Sequence, residues 1–155
     1  VEFCTNCRQC TQECGEQRGA CELSDEMAGI LDEIQQADAW VFGSPVNFGT
    51  ATAVMKRFIE RTICLAYWPW GKAAPKARNK VRDKRAVVIS SCAAPGVLGR
   101  LTGNGIGLMK KAITVLGGKT VGTMMVGLAA WERRPELSPR AVRKARRLGT
   151  KLARG

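Results

Sequence analysis

Five of the seven cysteines, Cys4, Cys7, Cys10, Cys14 and Cys21, fall within the first 21 residues. The first four stand as C-x-x-C-x-x-C-x-x-x-C, a spacing at which the thiolates of one loop can surround an iron–sulfur cluster, although Gly15 occupies the place where proline commonly follows. With no histidine in the chain, zinc at this loop would take four thiolates. The odd count, in a chain that opens without a charged-then-apolar leader, argues for metal or redox chemistry ahead of a disulfide framework. Reduced surface thiols are the plain alternative. Cys64 and Cys92 stand alone and read as small core residues.

A second chemical candidate is the run Gly43 to Gly49. Pro45 sets its own φ and restrains Ser44, while Gly43 and Gly49 allow the backbone to come close to a planar ligand. Several N–H groups in one plane would match the pyrimidine edge of a flavin, whose carbonyl oxygens and N5 accept hydrogen bonds, with Asn47 or Phe48 covering the ring. A plain connector between strand and helix would show the same residues. Gly103-Asn104-Gly105-Ile106-Gly107 has the wrong spacing and setting for a dinucleotide fingerprint and reads as a flexible loop.

These candidates need elements to position them. Ser24 is the expected N-cap of a helix with Asp25 and Glu26 in its first turn and Met27, Ile30, Leu31, Ile34 and Ala37 on one face. The apolar run Ala39 to Phe42 predicts a strand that breaks at Gly43-Ser44-Pro45, and Val54, Met55, Phe58 and Ile59 predict a helix reaching about Thr62. Residues 63–85, CLAYWPW followed by seven basic residues around Pro75 and Asp83, predict a long surface loop or lid. Ala86 to Ile89 is apolar without alternation, as in a parallel strand covered on both faces. A glycine-rich stretch then runs to Gly107. Leu108, Met109, Ala112, Ile113 and Leu116 predict a helix closed by a left-handed cap at Gly117-Gly118. Val121 to Val126 is the last strand, and Ser138-Pro139 opens a final helix with Val142, Ala145, Leu148 and Leu152 inside. Strands alternating with helices predict an α/β fold with a doubly wound parallel sheet and helices on both faces, in three layers.

A chain of 155 residues that is 45% apolar suits one domain spanning 1–155, with 1–23 as its cysteine-rich loop. The net charge of +12 is split unevenly: Val1 to Glu60 holds 4 basic and 10 acidic residues, net −6, and Arg61 to Gly155 holds 21 basic and 3 acidic, net +18. Such asymmetry suits a nucleic-acid partner, attraction of small phosphates, or simple solvation. No run of eighteen apolar residues exists, so no membrane partner and a cytoplasmic location are expected.

The block SDEMAGILDEIQQADAWVFGSPVNFGTATAVMKRFIERT resembles the central part of the flavodoxin-like NAD(P)H-dependent FMN reductases, including the iron–sulfur flavoproteins. Those proteins have a cysteine-rich loop, a DDM-like helix start, an alanine–aspartate pair, an apolar strand, an SPVYFG-type loop and a helix reading MKxFIDR. The counterparts here are Cys4 to Cys21, Asp25-Glu26-Met27, Ala37-Asp38, Ser44-Pro45-Val46-Asn47-Phe48-Gly49 and Met55 to Arg61. The resemblance covers roughly Cys4 to Thr62. It implies a flavodoxin-like fold and an FMN-dependent oxidoreductase passing electrons from NAD(P)H to a quinone, a flavin, a metal-centred or an iron–sulfur acceptor, whether small molecule or protein. The FMN ring would lie against Ser44, Pro45, Val46, Asn47, Phe48 and Gly49 and against the loop after the next strand, through Ser91, Cys92, Ala93 and Gly96. No acid–base residue is needed for hydride transfer. A [4Fe-4S] cluster on Cys4, Cys7, Cys10 and Cys14 is implied for part of the family, with Cys21 as the alternative fourth ligand.

The basic loop Lys72 to Arg85 is expected either to attract NADPH phosphates or simply to be solvated. The same resemblance implies a homodimer or homotetramer, with Tyr67, Trp68 and Trp70 at a subunit interface, ordinary core packing being the alternative. It also implies a first strand and a phosphate-holding loop that this sequence lacks, so that the domain is expected to be N-terminally incomplete. The competing expectation is a redox- or metal-sensing binding module whose cysteine loop is structural and whose final helix presents Arg140, Arg143, Lys144, Arg147 and Lys151 to nucleic acid.

Overall fold

The computed structural model describes residues 1–78 and 80–154. Asn79, within the expected 63–85 lid, and Gly155 lie outside the described residues. The sheet has the order β2-β1-β5-β6, in which β1 (Ala39–Asn47), β5 (Lys84–Ser91) and β6 (Gly118–Val126) are parallel and β2 (Thr50–Ala51) folds back antiparallel on the end of β1.

Helices cover both faces, as the alternation of elements predicts. On one side α1 (Met27–Gln36), α2 (Ala53–Arg61) and α4 (Gly105–Val115) enclose Trp40, Phe42, Ala86 and Val88 with Met27, Leu31, Met109 and Ile113. On the other side α5 (Pro139–Ala153) packs Leu148 against Val87 and Met124, with Ala141, Ala145 and Leu152 around them. Ala86, Val87 and Val88 are all buried, which explains the unbroken apolar run of β5. In β1 burial alternates instead, and Val41 is 60% exposed.

Several expectations are corrected. The strand that was to stop at Gly43 continues through Ser44 and Pro45 to Asn47, and the chain reverses at Phe48-Gly49, whose φ values of 48° and 75° are those of a two-residue hairpin turn. Pro45 is the last residue of β1 paired with β5, opposite Ser91, so its missing N–H falls at the end of that ladder. Ser24 is not the N-cap: the Asp25 carboxylate accepts the Met27 N–H at 3.0 Å and does the capping from one residue later. The glycine-rich stretch contains a short helix, α3 (Gly96–Thr102). The 63–85 segment is not wholly irregular, since a 3-10 turn (Thr62–Leu65) leads into a small hairpin of β3 (Ala66–Tyr67) and β4 (Lys76–Ala77).

The terminus signals at Ser138 and Gly117 hold: Ser138 caps α5 by accepting from the Ala141 N–H at 3.2 Å, and Gly117 takes φ 89° after α4. Thr52, which the sequence reading does not single out, caps α2 through the Met55 N–H at 3.3 Å. Ala141 replaces Val142 in α5's inner stripe. No helix among the described residues is long and apolar enough to cross a membrane. Between Ala39 and Pro45 the outer edge of β1 pairs with no strand among the described residues. Beside it a groove of about 480 Å³ is lined by Ile30, Ile34, Val41, Phe42, Met55 and Phe58.

Candidate functional site

Parallel pairing brings the two predicted ligand loops together. The register sets Ser44 opposite Ser90 and Pro45 opposite Ser91, and Ser90 Oγ donates to the Ser44 carbonyl at 2.8 Å. The hairpin beyond Pro45 and the loop beyond Ser91 therefore emerge side by side at the carboxyl edge of the sheet, where open α/β sheets bind ligands.

Each loop is held from behind. Ser44 is buried, and its hydroxyl accepts the Thr52 N–H at 3.1 Å, tying β1 to the start of α2. The Gly49 carbonyl accepts the Asn104 N–H at 2.8 Å. On the second loop, the Cys92 N–H donates to Val126 at 2.9 Å, the Leu128 N–H to Ala94 at 3.0 Å and the Ala129 N–H to Cys92 at 2.9 Å. Gly127 and Gly96 touch backbone to backbone. These supports from the segment after β6 are missed by sequence reasoning; Gly127 directly after an apolar strand was the available signal.

The exposed surface between the loops consists of Pro45, Asn47, Phe48 and Gly49 on one side and Ala93, Ala94 and Pro95 on the other, with Val46, Ser91 and Gly96 half-buried. The N–H groups of Ala93 and Ala94 have no acceptor among the described residues. Free backbone donors beside small side chains on one loop, with an exposed Asn47 and Phe48 on the other, fit a flat ligand with several acceptor atoms along one edge, and so fit a flavin. Of the ten ring-site candidates, Ser44 and Cys92 stand behind this surface. Cys92 is buried, its thiol donates to Ala94 at 3.2 Å, and a Cβ on Gly99 would run into its sulfur. It packs under α3, as its reading as a core residue anticipates.

The cysteine loop has a different organisation from the one its spacing suggests. Cys10 lies in a 3-10 turn (Gln9–Thr11) and points into the main core, whereas Cys14 and Cys21 are exposed and Cys4 and Cys7 half-exposed. No group of three or more metal-capable side chains gathers among the described residues. Burial, followed by the neighbouring thiols of Cys64, Cys21, Cys4 and Cys7, pushes the Cys10 thiol up to about 11. Desolvation likewise pushes up Cys64. Cys10 is turned into the core and the other three are not, so the four do not form one ligand set as folded.

What fastens this loop is arginine. The Arg8 guanidinium sits 4.0 Å from the Trp68 ring centroid and 4.3 Å from that of Trp70, and donates to the Trp68 carbonyl at 2.6 Å. Arg78, buried at the end of β4, donates to the carbonyls of Cys10 and Gly15, both at 3.1 Å. The aromatic segment thus packs on its own chain's cysteine loop, and one of the seven basic residues expected to be solvated is a buried strut. Arg61 forms a second anchor. Its two terminal nitrogens reach the Asp25 carboxylate at 2.7 and 3.0 Å, one of them also donates to the Glu2 carbonyl at 3.0 Å, and the other to the Cys21 sulfur at 3.6 Å.

Comparison with known proteins points the same way as the geometry. The NADPH-dependent FMN reductase family matches residues 4–102. An iron–sulfur flavoprotein of Archaeoglobus fulgidus is 32% identical over 62 residues, 40% of this chain and 28% of that protein, and one of Methanocaldococcus jannaschii is 34% identical over 84 residues, 54% of this chain and 38% of that protein. The chain thus spans less than two fifths of the length of either relative. Among solved structures, a flavone reductase shares a TM-score of 0.52 at 15% identity, over 86% of this chain and 46% of its own. A tryptophan halogenase enzyme from Streptomycin violaceusniger shares 0.52 at 14%, over 85% and 76%. At such identities the likeness is one of fold, the flavodoxin-like α/β arrangement.

Proposed function

Because this chain belongs to the NADPH-dependent FMN reductase family, we propose that it is the ring-holding part of an FMN-dependent oxidoreductase that takes electrons from NAD(P)H. The observation that carries this reading is the pairing of β1 with β5, which sets the Pro45 to Gly49 hairpin beside the Ser91 to Gly96 loop with the Ala93 and Ala94 N–H groups unused. Those N–H groups would hold the pyrimidine edge, and Asn47 and Phe48 would border the ring. FMN, when bound, supplies acceptance of a hydride and its onward delivery as electrons; the protein's part is orientation and a polarised edge. A strand and loop seated on the open edge of β1 would complete the sheet and hold the FMN phosphate. Phe48, Val97, Leu98, Leu101 and Trp131, all exposed near this edge of the sheet, support a homo-oligomer whose second subunit covers them. The acceptor, small molecule or protein, would enter beside the same surface.

Full-length protein supplied with FMN is expected to stay yellow after desalting, and a colourless product would end the assignment. Replacing Pro45 and Asn47 together by alanine should weaken FMN retention about tenfold, the equivalent of losing one good polar contact and a stiff backbone. Unchanged affinity would refute the placement of the ring.

A [4Fe-4S] cluster on Cys4, Cys7, Cys10 and Cys14, or with Cys21 as fourth ligand, is a finer reading favoured by the names of the curated relatives. It requires Cys10 to turn out of the core. Anaerobic reconstitution with iron and sulfide should then add a broad, bleachable absorption that Cys10→Ala abolishes; a spectrum of flavin bands alone would discard the cluster. The nucleic-acid module has only its charge in support and is not favoured.

A further inference from the structure

A cleft of about 380 Å³ opens between the end of the cysteine-rich loop, α1 and the 3-10 turn at Thr62–Leu65, and none of the ring-loop residues lines it. Met27 and Leu31 of α1, both buried, give it an apolar wall, and the guanidiniums of Arg18 and Arg61 border it. Each guanidinium is paired with a carboxylate at 2.7 Å, Arg18 with Asp32 and Arg61 with Asp25, which leaves little surplus charge to select an ionic ligand. Two thiols share this space. Cys21 is exposed, and its sulfur accepts from an Arg61 terminal nitrogen at 3.6 Å. That donor is fixed, since the same guanidinium holds both Asp25 oxygens and the Glu2 carbonyl, and a fixed N–H on sulfur stabilises negative charge developing there. Cys64 is 4% exposed, lines the same cleft, and its thiol makes no hydrogen bond to another residue among the described ones. The Gly19 N–H, two residues before Cys21, donates to the Cys64 carbonyl at 2.8 Å, which ties the two stretches together.

We propose that Cys21 and Cys64 form a dithiol site that reduces hydroperoxides and closes to a disulfide. A neutral oxidant with an organic substituent matches charge-balanced, partly apolar walls. Cys21, the exposed thiol, reacts first. Its sulfur, having given its proton to water, attacks the terminal oxygen of the hydroperoxide; an S–O bond forms, the O–O bond breaks, and the alkoxide leaves and takes up a proton as the alcohol. The Cys64 sulfur then attacks the Cys21 sulfur; the S–S bond forms, the S–O bond breaks, and hydroxide leaves with the Cys64 proton as water. The two thiols lose two electrons and the hydroperoxide gains them, and an external dithiol reopens the bridge. The disulfide fastens the cysteine loop to the turn that leads into the β3–β4 hairpin and withdraws Cys21 from any cluster. The site needs no flavin.

The test treats full-length protein, reduced and then desalted, with one equivalent of tert-butyl hydroperoxide. Two of the seven thiols should be lost. Trypsin separates Cys21 from Cys64 at Lys56, Arg57 and Arg61, so a peptide map should show the two fragments joined through these residues and released by dithiothreitol. Cys21→Ser should abolish the bridge. Cys64→Ala should leave Cys21 as a sulfenic acid, labelled by dimedone about tenfold faster than Cys14, the other exposed thiol of the loop, as expected for one charge-assisted donor. Retention of all the thiols, a bridge between other cysteines, or equal labelling of Cys21 and Cys14 would overturn the site. The wild-type map decides the pairing even where Cys64→Ala does not fold.

Discussion

Arg61→Met should lower the melting temperature by roughly 6 °C or more, since removing one partner of a buried ion pair strands the other and a domain of this size shifts a few degrees per kcal/mol. The side chains of Arg61 and Asp25 are 2% and 11% exposed, and the guanidinium also carries the Glu2 carbonyl. Three stretches meet there: the chain start, the cap of α1 and the end of α2. Lysine should rescue little, because one ammonium cannot span both Asp25 oxygens and the Glu2 carbonyl. The pair also predicts a pH signature. Hydrogen bonding from Arg61, then from the Glu2 N–H, holds the Asp25 carboxyl well below the usual carboxylate range. The folded protein therefore binds that proton less readily than the unfolded chain, and the stabilisation is complete above about pH 4 and lost progressively as pH falls below it. The gap in melting temperature between wild type and Arg61→Met should be widest near neutrality and narrow on acidification. An equal gap at pH 7 and pH 2.5 would show that the pair's charge is not what matters.

Gly127→Ala is expected to weaken FMN binding tenfold or more while leaving the sheet in place. A Cβ at Gly127 would fall on the Gly96 nitrogen and stand 2.7 Å from its Cα and 2.8 Å from the Pro95 carbonyl carbon. All three are backbone atoms, so the Ser91 to Gly96 loop must move as a whole. Its bonds to Val126, Leu128 and Ala129 then lengthen, and the Ala93 and Ala94 N–H groups leave the position the ring edge requires. A displacement of this kind forfeits more than one contact, each tenfold being about 1.4 kcal/mol. Far-ultraviolet circular dichroism should stay native while the flavin titration weakens. Gly149→Ala on α5, where a Cβ meets nothing within 4 Å, is the control and should change neither measurement. Full FMN affinity in Gly127→Ala would remove the Ser91 to Gly96 loop from the site.

The apolar patterns were legible because burial acts residue by residue. The unbroken run Ala86 to Ile89 marks a strand covered on both faces, and the stripe of α4 and the cap at Ser138 stand as the periodicity predicts. The block from Asp25 to Arg61 pointed to the family, and strand order brought its Ser44 to Gly49 segment beside Ser91 to Gly96. Local rules misled where a long-range partner took over. Gly43-Ser44-Pro45 looks like a break, yet pairing with β5 along Gly43 to Pro45 keeps it extended. Cys4, Cys7, Cys10 and Cys14 look like one ligand set, yet the core claims Cys10.

By itself, then, the sequence determined the class of fold, the order of its elements and the two loops proposed to face a ligand, since each depends on periodicity and turn chemistry within a few residues. Only the tertiary structure decided that Cys10 is buried and that Arg8, Arg61 and Arg78 are struts. A charged side chain's role is set by what lies opposite it in space, and that partner here stands 36 residues away for Arg61, 60 for Arg8 and 68 for Arg78.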